Sequence, residues 1–157
     1  MSQWHDGSAA LQQDILPYNT SYLADNDNRL NILVVEDDYN DTLMTVRAVK
    51  SAQIPCNLDR MTRGNEVMPY LRNCMQANLP DVLLLDMGLP DITGFEILAL
   101  LADAPAIIRA IPIIIVTGYS HFEYLPKAYQ LPIMGYVTKP VRAKELEPIL
   151  TMIMGFK

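Results

Sequence analysis

Four short apolar runs in this chain each end in a residue that can do chemistry. Asn31 to Val35 runs into Glu36-Asp37-Asp38, and Val82 to Leu85 into Asp86. Ile111 to Val116 ends at Thr117-Gly118, and Met134 to Val137 at Thr138-Lys139-Pro140. Carboxylates gathered in one crevice repel one another and raise at least one pKa. A hard divalent cation removes that conflict, and Mg²⁺ favours one or two carboxylates plus waters. Lys139 adds a second positive charge, and the Thr117 hydroxyl adds a hydrogen-bond donor. Metal, ammonium and hydroxyl together match the three equatorial oxygens of a phosphoryl group in transfer. A carboxylate can itself be the nucleophile and form an aspartyl phosphate.

Taken singly, each residue has a plainer reading. Asp86 can be a loop acid capping the next helix. Glu36-Asp37-Asp38 can be a solvated helix start, where acids are favoured by the dipole. Thr117 can be a satisfied strand-end hydroxyl, Lys139 a surface base before a proline, and Tyr136 a half-buried strand residue. Four such accidents at four matching strand ends are improbable together. What positions them therefore decides the reading.

The positioning elements follow from periodicity. Val82 to Leu85 is short and unbroken, as in a strand buried on both faces, and Gly88 and Pro90 then turn the chain. A helical stretch over about Asn40 to Ala52 carries Leu43, Val46 and Val49 at helical spacing. Cys56 to Met61 is a weaker strand. Gly64 introduces a helix with Val67, Met68 and Leu71 on one side. Phe95 to Ala102 is helical, and Ala104 to Ala110 is a loop or a single helical turn. Further helices are expected over about Ser120 to Gln130 and Arg142 to Met154. The order is strand then helix, five times over. This requires right-handed crossovers and a parallel sheet covered on both faces, a three-layer α/β/α sandwich of flavodoxin-like type. All strand C-termini then lie on one edge, where such folds bind ligands.

Composition excludes several alternatives. A formal net charge of -6 lacks the clustered Lys and Arg of a nucleic-acid footprint. No apolar run approaches membrane-spanning length. Cys56 and Cys74 have no metal or redox spacing and, with no signal peptide, point to a reducing cytoplasm. His5 and His121 are badly placed for acyl transfer, and no nucleophile elbow or Gly-rich phosphate loop occurs. The 157 residues fit one domain, here residues 30 to 157, preceded by an arm or linker over residues 1 to 29 with four acids and one base. A short helix beginning at Ser8 is one reading of that arm, and a frayed segment is the other.

The segments ILVVEDD (Ile32 to Asp38), LLLDMGLPDITGFE (Leu83 to Glu96), IIIVTG (Ile113 to Gly118) and GYVTKP (Gly135 to Pro140) resemble the receiver domain of bacterial two-component response regulators. The resemblance covers about residues 30 to 157 with the motifs in order. It implies Asp86 as phosphoacceptor, Asp37 and Asp86 as Mg²⁺ ligands, Glu36 acting through water and Gly88 through its carbonyl oxygen. It also implies Thr117 binding the phosphoryl group, Lys139 pairing with it, and Tyr136 as an aromatic switch. The implied activity is self-catalysed transfer from a phosphohistidine, conformational signalling and slow self-hydrolysis, in a signalling module that is not a classical enzyme. Its partners would be a sensor histidine kinase or histidine phosphotransfer protein and a downstream protein, without nucleic acid or membrane. A relay passing the phosphate on to another histidine is the alternative.

Since no further domain follows the last helix, a stand-alone receiver is expected, similar to the chemotaxis and phytochrome-linked kinds. The loop Asp103 to Ile111 resembles the phytochrome-linked subgroup. Pro126 and Pro148 are expected to bend or break the last two helices. Ile149 to Phe156 is apolar at almost every position, so exposed residues there predict self-association or partner binding through the last strand and last two helices.

Overall fold

A computed structural model describes residues 28–75, 78–118 and 130–157. Five strands form one sheet: β1 (Leu30–Val35), β2 (Cys56–Met61), β3 (Val82–Asp86), β4 (Ile113–Thr117) and β5 (Ile133–Thr138). Every pairing is parallel and the order is β2-β1-β3-β4-β5. The order leaves β2 and β5 at the edges, so β1, β3 and β4 carry neighbours on both sides.

Period-two alternation divides each central strand between two cores. Ile32, Val34, Val82, Leu84, Ile114 and Val116 face one core; Leu33, Val35, Leu83, Leu85, Ile113 and Ile115 face the other. The first core is closed by α1 (Tyr39–Ser51) and, at the C-terminus, α5 (Ala143–Gly155). The second is closed by α2 (Val67–Cys74), α3 (Gly94–Ala102) and the short α4 (Ala106–Arg109). The three-layer α/β/α sandwich is thus as expected, and burying each Leu or Ile of the central strands contributes about 1.5–3 kcal/mol. The helix expected near residues 120 to 130, with Pro126, lies outside the described residues, as does the arm up to Asp27.

Local signals set the helix ends. Asp38 caps α1, its Oδ1 accepting from the Asp41 amide at 2.8 Å. Thr93 and Glu96 form a reciprocal capping box at the start of α3. Gly94 is required there, because a Cβ would stand 2.7 Å from the Met87 Cα. The Asp91 carboxylate reaches back to the amides of Gly64 and Asn65 at 3.0 and 2.8 Å, tying the loop after β3 to the turn that begins at Gly64.

The structure departs from expectation at the last helix and at Tyr136. Helix α5 runs unbroken through Pro148, because only one backbone donor is lost while Leu146, Leu150 and Ile153 stay buried on the core side. Ile153 faces that core, whereas Met152 and Phe156 are the exposed apolar residues of this helix. Tyr136 is 57% exposed rather than half-buried. Arg29, at the end of the expected arm, is buried and donates to Asn57 Oδ1 at 2.9 Å.

Candidate functional site

Parallel pairing places the ends of β1, β3, β4 and β5 side by side, and with them the residues singled out above. Glu36 and Asp37 follow β1, Asp86 closes β3, Thr117 closes β4, and Lys139 follows β5. The Lys139 amide donates to the Thr117 carbonyl at 2.7 Å, which fixes the Lys139 backbone against the β4 terminus. Its Nζ then lies 2.7 Å from Glu36 Oε2 and 3.2 Å from Asp86 Oδ1. Glu36, Asp37 and Asp86 each present a carboxylate oxygen within 4.8 Å of the others. Glu36 and Asp86 are buried and Asp37 is exposed, so the group opens outward on one side.

Burial pushes the Glu36 carboxyl up to about 7; the nearby Asp86 charge adds to this, while Lys139 and the Asp38 amide partly offset it. Burial works against the Lys139 ammonium, yet its bonds to Glu36 and Asp41 outweigh that and hold its pKa above the usual value. The pocket thus carries more negative charge than one lysine satisfies. Three oxygen donors in that arrangement suit a hard cation.

Gly88 contributes its amide, which donates to Asp86 Oδ1 at 3.0 Å. Thr117 is buried at the neighbouring strand end. Tyr136 is on β5, in register with Ile115, and its side chain is exposed to solvent.

The response regulator receiver domain model matches residues 32–151. The chain belongs to the response regulator receiver domain family. Among curated relatives, response regulator Rcp1 of Synechocystis sp. (strain PCC 6803) is 27% identical over 129 residues, 80% of this chain and 85% of that protein. Among solved structures, the bacteriophytochrome response regulator RtBRR superposes with a TM-score of 0.68 at 27% identity, covering 80% of this chain and 78% of that one. The Mn²⁺-bound form of Rcp1 superposes with a TM-score of 0.59 at 27% identity, covering 81% and 91%. The phytochrome-linked resemblance read from the sequence agrees with these neighbours.

Two residues of this receiver domain escaped sequence reasoning. Asp41, in the first turn of α1, places Oδ2 2.9 Å from Lys139 Nζ across 98 residues of chain. An acid in the first helical turn reads as a dipole partner, and nothing in the sequence aims it at Lys139. Arg60, on β2, is fully buried and donates to the carbonyls of Glu36 and Asp37 at 3.2 and 3.0 Å. An arginine in an otherwise weak strand was a signal available in the sequence, because a buried cation needs partners.

Proposed function

We propose that this receiver domain accepts a phosphoryl group on Asp86 and signals the change to a protein partner. Membership of the receiver family supports phosphoryl acceptance and signalling as the general role. The observation that carries the assignment to Asp86 is the Lys139 ammonium held between Asp86 and Glu36, at 3.2 and 2.7 Å, beside an outward-opening acidic group.

Each residue has a role in this reading. Asp86 Oδ1 already receives the Gly88 amide and the Lys139 ammonium, so Oδ2 is assigned as the nucleophile. It attacks the phosphorus of a phosphoimidazole; the new P–O bond forms as the P–N bond breaks, and that electron pair leaves with the imidazole nitrogen. Lys139 stabilises charge on the phosphoryl oxygens from a position set before the reaction. Thr117 and Tyr136 are assigned to reading the phosphoryl group, through the hydroxyl at the β4 terminus and the exposed ring on β5. Asp37 and Asp86, with Glu36 through water and the Gly88 carbonyl, are assigned to holding Mg²⁺. When bound, Mg²⁺ supplies positive charge to the phosphoryl oxygens that the carboxylates alone repel. The Mn²⁺-bound Rcp1 neighbour supports a cation at such a group.

The phosphodonor is assigned as a sensor histidine kinase or histidine phosphotransfer protein, which would place the protein in the cytoplasm. No helix among the described residues is long and apolar enough to cross a membrane. The exposed side chains of Tyr136, Met152 and Phe156 support the last strand and last helix as the face shown to a downstream partner or a second copy. Beryllofluoride with Mg²⁺, which mimics the aspartyl phosphate, tests the site. Wild-type protein should bind it stoichiometrically and show shifted amide resonances at Thr117 and in β5. Equal binding by Asp86→Asn would refute the assignment.

A further inference from the structure

Arg60 is the largest fully buried side chain among the described residues, 1% exposed, although β2 is an edge strand. Removing a guanidinium from water costs several kcal/mol unless its partners are well placed. Its partners are specific: Nε donates to the Glu36 carbonyl at 3.2 Å and Nη2 to the Asp37 carbonyl at 3.0 Å. These are consecutive peptide groups, and they carry two of the three carboxylates of the acidic group. The same strand end also holds the Glu36 amide, which donates to the Met61 carbonyl at 2.9 Å. The Glu36 side chain is then fixed by the Asp38 amide on Oε1 at 3.0 Å and by Lys139 on Oε2.

Strand β1 ends at Val35, and the bond from the Glu36 amide to the Met61 carbonyl is the last main-chain bond that β2 makes to it. The fork of Arg60 adds a hold on the next two carbonyls, those of Glu36 and Asp37. A planar guanidinium presents two N–H groups in fixed relative geometry, and a lysine ammonium on a flexible stem does not.

We propose that Arg60 is a positioning residue for the acidic pocket: its guanidinium fixes the Glu36–Asp37 backbone from beneath and thereby sets the affinity of the pocket for a divalent cation. This rests on reading the pocket as a cation and phosphoryl site. Groups that orient metal ligands commonly change affinity by about 10–100-fold when altered. Arg60→Lys keeps the charge and loses the fork, which separates geometry from electrostatics.

The test is calorimetric titration of the full chain with Mg²⁺ and with Mn²⁺. Folding is checked by circular dichroism, and melting is followed with and without metal. Arg60→Lys should bind both ions about 10-fold more weakly, about 1.4 kcal/mol. A purely structural arginine would lower the melting temperature of the metal-free protein and leave the affinity of the folded protein within about twofold of wild type; that result overturns the proposal. Should Arg60→Lys fail to fold, the wild-type protein answers instead. The Arg60 Nε–H resonance should shift on Mg²⁺ titration with the same midpoint as the Glu36 and Asp37 amides, and an unmoved resonance overturns the proposal. Wild-type protein that binds neither ion would overturn the site reading itself and the inference with it. Tight wild-type binding with an unaffected Arg60→Lys overturns the inference alone.

Discussion

Lys139 Nζ sits 2.9 Å from Asp41 Oδ2, while Asp86 Oδ1 lies slightly farther away at 3.2 Å. The lysine assigned to the phosphoryl group is therefore shared with an acid on another helix. Asp41 has two effects in the same direction. It draws Lys139 away from Asp86, and its own charge repels an incoming anion. Asp41→Asn should raise the labelling rate with acetyl phosphate and slow loss of the phosphate, by several-fold at saturating Mg²⁺. Its half-buried, partly solvated position limits the effect, because solvent screens part of the charge. Unchanged or slower labelling would count against this role.

Gly88 leaves space beside the Asp86 carboxylate. A Cβ there would come no closer than 3.8 Å to Asp86 Oδ1, an ordinary van der Waals contact. Gly88→Val therefore places a branched apolar group beside the proposed phosphoacceptor, with its Cβ clear of a clash. Shielding from water should lengthen the phosphate lifetime several-fold, as followed by loss of radiolabel. A lifetime equal to wild type would show that water reaches phosphorus from another side. The family resemblance also implies that Tyr119, two residues beyond Thr117, borders the attacking water; it lies outside the described residues.

The two thiols should behave differently. Cys56 is buried at the start of β2, and burial pushes its pKa up to about 12, opposed only weakly by Arg29. Little thiolate then forms in the native protein at about pH 8, whereas a solvated thiol ionises near 8.5. Ellman's reagent should react quickly with Cys74, which is only half-buried, and with Cys56 only on unfolding. The sign follows from the raised value. The unfolded chain releases this proton first, so stability is full below about pH 8.5 and falls as pH rises towards 12. Fast reaction of both thiols in native buffer would contradict the burial of Cys56.

The sheet was legible because its central strands are apolar on both faces and each is followed by a helical period. The four strand-end motifs were legible for the same reason: parallel topology brings C-terminal ends together whatever lies between them. Long-range side-chain geometry was not. Neither the reach of Asp41 to Lys139 nor the fork of Arg60 under Glu36 and Asp37 is encoded in spacing. At the end of α5, consecutive apolar residues hide which side is buried. Leu146, Leu150 and Ile153 share the core side, so Ile153→Asp would damage folding, and Met152→Asp is the better probe of a partner face. Pro148 is expected to bend or break α5, yet the helix continues past it, because burial on both sides of it outweighs one missing hydrogen bond.

The arm should be dispensable for the chemistry. The groups gathered around Lys139 among the described residues, Glu36, Asp41 and Asp86, all lie beyond residue 28. A chain lacking residues 1 to 28 should fold and label at a rate within about twofold of wild type. A folded truncation that fails to accept phosphate would give the arm a part in the reaction.

The central claim is that Asp86 is the phosphoacceptor and that the acidic group needs a cation to act. Intact mass spectrometry after incubation with acetyl phosphate tests both at once. Wild-type protein with Mg²⁺ should gain the mass of one phosphoryl group, lose the gain when Mg²⁺ is chelated beforehand, and show no gain as Asp86→Asn. Full, Mg²⁺-dependent labelling of a folded Asp86→Asn protein would contradict the account.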